Sequence, residues 1–285
     1  MSVISIQSQV AWGHVGNSAA TFPIQLHGID VIAVPTTLLS NRPGYPTIRG
    51  RVLDAQLVAD LLRGIEERGA IESARMILSG YLGSADIAQE VAEFVAHAKA
   101  SNPALLYCCD PVLGDRHTGL FVRADIPPLV RDQLLPLADI ITPNHFELES
   151  LCGAKAATIA ELVAQARALI ARGPSTVVVT SAELAATPAD EIVTLAVERD
   201  HAWRVGTPLL PISPHGTGDL FAALFSSARL RGAGTPAALA QAASGIYAVL
   251  ERTARRGTDE MRIVESADVM LDPKRRFEAV AITAS

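Results

Sequence analysis

Short β-branched runs alternate with longer amphipathic stretches along most of this chain. Six runs of the first kind predict strands, at residues 3–8, 29–36, 74–80, 104–111, 138–144 and 175–181. Apolar positions recur every three or four residues in stretches that predict helices, at residues 54–69, 84–100 and 158–173. Strands that alternate with helices indicate an α/β fold in which helices cover both faces of a mostly parallel sheet. We therefore expect a three-layer, doubly wound architecture.

The pattern changes after residue 185. Residues 191–198 and 201–208 both predict strands, and no helical stretch separates them. Strands joined by a short turn run antiparallel, so we expect these two to extend one edge of the sheet. The chain shows no internal repeat, low-complexity tract or domain boundary, and we expect residues 1–285 to form one domain.

Composition narrows the class of protein. The 285 residues are 49% hydrophobic and carry a formal net charge of -6, which suits a chain with one sizeable core. No apolar run approaches the roughly 18 to 20 residues that span a bilayer, and the first residues lack a basic region followed by a cleavage site. A mildly acidic chain is also a poor match for nucleic acid. We expect a cytoplasmic protein that binds neither membranes nor nucleic acid.

Polar residues and glycines follow the predicted strands. In a doubly wound sheet, ligands bind outside the carboxyl ends of the strands. The residues of interest at these ends are Ser8, Gly80, Tyr81, Asp110, Asn144, Glu147, Thr180 and Ser181. We expect them to meet along one edge of the sheet, called here the carboxyl rim.

The stretch SPHGTGDLFAA, residues 213–223, places two glycines and an acid before an apolar helix. Gly216 and Gly218 allow a tight turn, and the first N–H groups of a helix are unpaired and lie at the positive end of its dipole. The segment therefore predicts an anion site. Asp219 beside it is either a base for an attacking hydroxyl or an N-cap of the helix, and this segment alone leaves both interpretations open.

Two more acids favour the chemical interpretation. Asp110 and Glu147 follow neighbouring predicted strands, and Mg²⁺ prefers carboxylate oxygens together with bound water. Asn144 could orient such a water. Each of these residues could instead cap the helix after its strand. Three acids and a glycine-rich anion site on one rim nevertheless favour phosphoryl transfer from a magnesium–nucleotide complex.

Several motifs of this chain together resemble those of one family. They are IQSQVAWGHVGNSAA from residue 6, SNRPGY from 40, LSGYLGS from 78, CDPVLGD from 109, TPNHFELE from 142, VVVTS from 177, GTGDLFAA from 216 and RIVESADVMLDP from 262. Their order and spacing, nearly from end to end, are similar to those of the pyridoxal kinases in the ribokinase-like superfamily. GTGD and N-x-x-E mark the superfamily, whereas QSxVxxGHxGNSAA and SGYLGS indicate the pyridoxal branch.

The resemblance implies a role for each matched position. Asp219 would take the proton from the 5′-hydroxymethyl group of pyridoxal, and the amides of Gly216, Thr217 and Gly218 would hold the charge of the γ-phosphate. The residues implied to bind the substrate are Ser8, Pro43, Gly44, Tyr81 and Asp219. Those implied to face ATP are Asp110, Thr142, Glu147, Thr180, Ser181, Thr207, Pro208, Leu209 and Leu210. Those expected at Mg²⁺, directly or through water, are Asp110, Asn144 and Glu147.

The resemblance also implies ATP and Mg²⁺ as cofactors, a response to a monovalent cation such as K⁺, and a homodimer. The expected activity is phosphorylation of pyridoxal, with pyridoxine and pyridoxamine as further candidates, in vitamin B6 salvage. The alternatives are a hydroxymethylpyrimidine kinase of the same fold, a protein that only binds B6 vitamers, and, most remotely, an oxidoreductase. The last is disfavoured because GHVGN lacks the full G-x-G-x-x-G pattern.

One loop departs from the family pattern. Members commonly read SNHTGY or SNHTQY, whereas this chain has Arg42 and Pro43 in place of the His and Thr. A threonine hydroxyl that would face the substrate is therefore absent, and the resemblance assigns no role to the arginine.

Overall fold

One mixed sheet runs through the computed structural model, which describes residues 1–283. Its central strands are parallel, and in spatial order they are β2 (Asp30–Asn41), β1 (Ser2–Trp12), β4 (Ala74–Ser79), β5 (Leu106–Cys109), β8 (Ile140–Ile141) and β9 (Thr176–Ala182). Each overlaps one of the six predicted strands. The prediction of a mostly parallel sheet is confirmed.

Antiparallel strands extend both edges of this sheet. Beyond β9 lie β10 (Glu191–Val197), β11 (Ala202–Pro208) and β12 (Val280–Ala281), and beyond β2 lies β3 (Gly50–Val52). The predicted edge strands are confirmed, whereas β3 and β12 are too short to produce a hydrophobic pattern. A separate hairpin pairs β6 (Gly114–Asp115) with β7 (Gly119–Leu120).

Helices cover both faces of the sheet. One face carries α1 (Asn17–Leu26), α8 (Thr217–Leu230), α9 (Thr235–Arg256) and α10 (Ala267–Leu271). The other carries α2 (Ala55–Glu66), α3 (Ala70–Ser73), α4 (Ala85–Ser101), α5 (Ile126–Leu129), α6 (His145–Cys152) and α7 (Ile159–Ile170). A π-helical turn spans Val130–Leu134, and 3₁₀ turns span Leu135–Leu137 and Val264–Ser266. The three-layer prediction is confirmed.

Polar caps start the three helices that the sequence predicts. Asp54, Ser84 and Thr158 each accept a backbone N–H from the first turn of the following helix. These helices therefore begin where the sequence indicates. The helix ends are less exact: Gly69 marks the end of the first predicted helix, whereas α2 stops at Glu66.

The first two strands continue past the central sheet. A bulge at Thr36 and Thr37 of β2, opposite Ser8, interrupts the register of β1 with β2, after which pairing resumes as far as Trp12 and Asn41. The prediction ended these strands at residues 8 and 36, and exposed positions are frequent beyond those points. The extended pair, with β3 on its edge, projects beyond the carboxyl rim.

In the part of the chain that the structure describes, no helix combines the length and the hydrophobicity needed to cross a bilayer. The assignment of residues 1–285 to a single domain stays a prediction, and residues 284 and 285 lie outside the described residues.

Candidate active site

The topology of the sheet creates a crevice between β1 and β4. From β1 the chain passes through α1 to β2 on one side, and it later returns to add β4 on the other side. A crevice at such a switch point is where open α/β sheets bind ligands. The carboxyl rim therefore offers a site beside Ser8 and Tyr81.

The start of α8 has no side-chain cap, and of its first residues Asp219 is buried while Gly218 is exposed. Gly216 is its N-cap residue, with φ of 82°, and no side chain caps the helix. The N–H groups of Thr217, Gly218 and Asp219 therefore lack intrahelical acceptors and lie at the positive end of the helix dipole. Asp219 is the third residue of α8 and does not act as its N-cap, so the capping interpretation of this acid is wrong.

The loop between β1 and α1 contacts the start of α8 directly. The Gly16 N–H lies near the Asp219 carboxylate and acts to lower its pKa. A Cβ at Gly16 would lie 2.5 Å from Ser8 Oγ, and one at Gly216 would overlap the His14 carbonyl. Glycine is required at both places because the backbones approach so closely. Ser8, Gly16, Gly216 and Asp219 therefore meet at one point.

Burial changes the acidity of Asp219. Its side chain is 9% exposed, and desolvation raises its pKa from 3.8 to about 6, while the Gly16 N–H acts in the opposite direction. A carboxylate with a pKa near 6 is mostly ionised at neutral pH yet basic enough to accept a proton from a hydroxyl.

Asp110 lies opposite the uncapped start of α8. It follows β5, and its Oδ2 atom is buried and has no hydrogen-bond partner. That oxygen is 3.9 Å from the position that a Cβ of Gly218 would take. Burial and the charges of Glu147 and Asp219 raise the pKa of Asp110 well above its usual range. The chain continues from Asp110 into β6 and β7, and the next helix, α5, begins only at Ile126, so the capping interpretation of Asp110 is also wrong.

Glu147, in contrast, forms a capping box with Asn144 at the start of α6. Its Oε2 accepts the Asn144 N–H at 2.9 Å, and the Asn144 Oδ1 accepts the Glu147 N–H at 2.9 Å. Asn144 Nδ2 also donates to the Gly114 carbonyl. Here the capping interpretation is confirmed, and Asn144 uses both polar atoms of its side chain within the protein.

The second oxygen of Glu147 is held by a strained loop. Val112 adopts a φ of 45°, a left-handed conformation that is rare for a β-branched residue. The N–H groups of the next two residues, Leu113 and Gly114, donate to Glu147 Oε1 at 2.7 and 3.4 Å. Burial raises the pKa of Glu147 to about 7, while these bonds and that from Asn144 lower it. Two loops thus fix the Glu147 carboxylate in place.

Two predicted residues at the end of β9 lie next to this acidic group. Thr180 forms a bridge with Asn144, and its N–H donates to the Pro143 carbonyl. Ser181 is exposed and has a φ of 48°. Thr142 follows β8 and lies beside Asp110.

The predicted segment Thr207–Leu210 lies farther away. Thr207 and Pro208 end β11 and pair with β10, and the Leu209 N–H donates to the Asp190 carbonyl. Two strands, β9 and β10, separate β11 from β8, so β11 and β8 lie roughly 14 Å apart at the usual strand spacing. The structure therefore places this segment on the same rim but outside the group of acids.

The predicted substrate residues lie on the other side of Asp219. Tyr81 follows β4, is half-buried, and accepts a hydrogen bond from Thr36 Oγ1 on its carbonyl at 2.6 Å. Pro43 and Gly44 are exposed in the loop between β2 and β3. A Cβ at Gly44 would lie 2.8 Å from His215 Nε2, so this loop reaches the residue before Gly216.

Sequence reasoning missed two residues that organise this side of the site, Gly16 and Glu260. The Gly16 N–H acts on the pKa of Asp219, and Glu260 pairs with Arg42. The Gly16 signal lay in the motif GHVGN, which marks a turn. No sequence pattern links Arg42 to Glu260, because 218 positions separate them.

The described residues contain no group of three His, Cys, Asp or Glu side chains arranged to hold a metal ion. Three buried carboxylates nevertheless lie within electrostatic range of one another, at Asp110, Glu147 and Asp219. Such a group is unfavourable without cations, which makes this part of the rim suited to a cationic ligand.

Comparison with known proteins agrees with this geometry. The phosphomethylpyrimidine kinase family matches residues 26–263. A pyridoxal kinase PdxY of Rubrobacter xylanophilus is 46% identical over 97% of this chain and 96% of its own length, and one of Corynebacterium diphtheriae is 43% identical over 99% and 100%. The chain therefore belongs to the phosphomethylpyrimidine kinase family, and within it to the pyridoxal kinases.

Solved structures extend the likeness to the fold. The pyridoxal kinase of Leishmania donovani, in complex with ADP and pyridoxamine, matches with a TM-score of 0.92 at 30% identity over 99% of both chains. That of Trypanosoma brucei matches with a TM-score of 0.88 at 29% identity over 99% of both chains. The ribokinase-like fold expected from the sequence is confirmed.

Proposed function

We propose that this protein transfers the γ-phosphoryl group of ATP to the 5′-hydroxyl of pyridoxal, forming pyridoxal 5′-phosphate in vitamin B6 salvage. Pyridoxine and pyridoxamine are further candidate acceptors. The observation that carries the proposal is a buried base, Asp219, at the uncapped start of α8. The L. donovani relative, which binds ADP and pyridoxamine, supports both the nucleotide and the vitamer.

The transfer follows from the position of these groups. Asp219 accepts the proton of the 5′-hydroxymethyl group while the hydroxyl oxygen of that group forms a bond to the γ-phosphorus. The bond between that phosphorus and the oxygen of the departing ADP breaks. The N–H groups of Gly216, Thr217 and Gly218 stabilise the charge on the transferred group because they are already oriented and need no rearrangement.

Asp110 and Glu147 fit a magnesium ion that accompanies the nucleotide. Mg²⁺ binds proteins through one or two carboxylates and keeps several waters. Asp110 Oδ2 has no other partner, whereas both oxygens of Glu147 accept backbone hydrogen bonds. We infer that Asp110 is the direct ligand, that Glu147 acts through water, and that Asn144 positions Glu147 rather than binding the metal. The ion would supply charge neutralisation for the phosphates.

The remaining predicted residues divide between the two ligands. Ser8, Tyr81, Pro43 and Gly44 are proposed to bind the pyridine ring next to Asp219. Those proposed to contact the nucleotide are Thr142, Thr180, Ser181, Thr207, Pro208, Leu209 and Leu210. The distance between the acids and β11 requires a ligand as long as ATP to reach both.

The test is product formation, measured by mass, from purified protein with ATP, Mg²⁺ and a mixture of the three B6 vitamers and hydroxymethylpyrimidine. The expected result is phosphorylated pyridoxal from the wild type and at least about a hundredfold less from Asp219→Asn. Phosphorylated hydroxymethylpyrimidine alone would favour the second candidate, which the family match suggests. Vitamer binding without any product would favour a binding protein.

Four further properties rest on the sequence alone and stay predictions: one domain, a homodimer, activation by a monovalent cation such as K⁺, and a cytoplasmic location. Activity in K⁺ against Na⁺ and the mass in solution by light scattering test two of them.

A further inference from the structure

The loop between β2 and β3 contains a buried cation. Arg42 is 6% exposed, although its neighbours Pro43 and Gly44 are exposed. Its guanidinium lies 4.7 Å from the centre of the Tyr45 ring, and Nη1 donates to the Pro43 carbonyl at 2.8 Å. Residues 42–45, called here the substrate loop, thus fold around the arginine.

Glu260 joins this loop to the rest of the site. Its Oε1 accepts hydrogen bonds from Arg42 Nε at 2.5 Å and from the Tyr45 hydroxyl at 2.7 Å. The second guanidinium nitrogen, Nη2, donates to the Asp259 carbonyl at 3.4 Å. The pair is largely removed from solvent, because the side chains of Arg42 and Glu260 are 7% and 17% exposed. Two residues of the loop are therefore fixed to one carboxylate.

The same segment braces the catalytic loops. Glu260 Oε2 lies 2.8 Å from the position that a Cβ of Gly13 would take, and the next residue, Met261, lies 3.1 Å from that of Gly216. Gly13 belongs to the loop whose Gly16 N–H lies near Asp219. The ion pair thus connects the substrate loop to both loops that form the transfer site.

We propose that the Arg42–Glu260 pair holds the substrate loop over the start of α8 and so positions the acceptor next to Asp219. Arg42 and Glu260 are positioning residues. The inference rests on the proposed function, and it assigns a role to the arginine that replaces a histidine in the family loop. A planar guanidinium suits this role because it donates to Glu260, Asp259 and Pro43 in fixed directions, which a lysine ammonium cannot reproduce.

The first test separates acceptor binding from chemistry. Arg42→Ala should raise KM for pyridoxal about tenfold, because misplaced acceptors bind and react poorly, and should leave KM for ATP within about twofold. Arg42→Lys should raise KM for pyridoxal less than Arg42→Ala does. Arg42→Ala combined with Glu260→Ala should be no worse than either change alone, since each removes the same pair.

Lys99→Ala is the matched control. Lys99 forms an ion pair with Asp139 at 2.7 Å. This pair lies at the amino ends of the strands, away from the carboxyl rim, and Asp139 also accepts the N–H at the start of β5. Its loss should lower stability without changing either KM. A KM for pyridoxal that is unchanged in folded Arg42→Ala and Glu260→Gln, or additive effects in the double variant, would overturn the proposal.

Hydrogen exchange provides a readout that needs no activity. Backbone N–H groups of Ser40, Arg42 and Arg49 are hydrogen-bonded around the substrate loop. Peptides covering residues 38–52 should exchange several-fold faster in Glu260→Gln than in wild type or Lys99→Ala, because the loop is released. Equal exchange would overturn the proposal. If the wild type phosphorylates no vitamer, the proposed function fails while this comparison still decides the role of the pair.

Discussion

Two helices begin at the carboxyl rim with an acid at the same position and use it differently. Glu147 is the third residue of α6 and Asp219 the third residue of α8. Asn144 caps α6, and both oxygens of Glu147 are occupied by backbone N–H groups. Gly216 starts α8 without a side-chain cap, so its first N–H groups remain available to a ligand.

The difference lies in the residue that precedes the helix. An asparagine at the N-cap satisfies the helix and fixes the acid as part of the scaffold. A glycine leaves the first N–H groups of the helix unsatisfied. Burial raises the pKa of both acids, to about 7 for Glu147 and about 6 for Asp219, so the two helix starts differ in which polar groups are left for a ligand and not in the acidity of the carboxyl. The comparison teaches that the same sequence spacing yields a structural acid or a reactive one, and the cap decides which.

The largest expected effect is that of Asp219→Asn. Loss of the base should lower kcat by about 10² to 10⁴. Because burial raises the pKa of Asp219 to about 6, its ionised form opposes folding at neutral pH, and removing the charge should stabilise the fold by roughly 1 to 3 kcal/mol. Steady-state kinetics and thermal melts at pH 7.5 measure both effects.

Asp200→Asn, an exposed acid between β10 and β11, is the control for a generic loss of charge. It should alter neither kcat nor the melting temperature. An Asp219→Asn variant that melts lower than wild type would contradict the idea that this acid is held at the expense of stability.

The next effect is that of Gly216→Ala. The new methyl group would overlap the His14 carbonyl, and a φ of 82° is strained for any side chain. Displacement of the loop should lower kcat by about 10 to 10³, since the N–H groups no longer meet the phosphate. Gly232→Ala shares the left-handed strain, with φ of 90°, but meets no atom within 4 Å. If both variants lose the same activity, the close contact is unimportant.

Asn144→Ala should have a smaller effect on turnover. Loss of this cap should destabilise the protein by about 0.5 to 2 kcal/mol. Thr158→Ala removes the second capping box, at the start of α7, and should cost a similar amount. Only Asn144→Ala should also raise KM for the magnesium–nucleotide complex, because it releases Glu147. Equal kinetics in the two variants would show that the Glu147 carboxylate needs no positioning.

The smallest effect is the pH dependence of the wild type. Asp219 acts when ionised, so kcat/KM should fall as pH decreases through about 6, with a loss of roughly half at that pH and about tenfold at pH 5. Stability changes in the opposite direction. A group with a raised folded pKa contributes stability below its unfolded pKa, near 3.8, and loses that contribution as pH rises through about 6. A flat rate profile from pH 8 to 5 would argue against Asp219 as the base.

Most of the fold could be predicted because it depends on local signals. Short β-branched runs identified the six parallel strands. Asp54, Ser84 and Thr158 lie at the starts of the predicted helices. The extension of β1 and β2 could not be predicted, since it is stabilised by pairing rather than by an apolar face.

The site was predictable as far as strand ends determine it. Asp110 and Glu147 meet on one rim because they follow the parallel strands β5 and β8, which end together, whereas Asp219 reaches this rim at the start of α8. Whether each acid caps a helix was not predictable, because that depends on contacts from distant loops, such as the hydrogen bond from the Leu113 N–H to Glu147.

The left-handed Val112 has a consequence for attempts to stabilise this protein. Val112→Gly removes a local conformational penalty in the folded chain. It also gives the unfolded chain more accessible conformations, and that gain in backbone entropy opposes folding. The two contributions to the free energy of unfolding have opposite signs. Replacing Val112 only because its backbone conformation is unusual is therefore a poor way to stabilise this protein. A valine at this position restricts the backbone conformations of the unfolded loop. This restriction favours the single arrangement that binds Glu147.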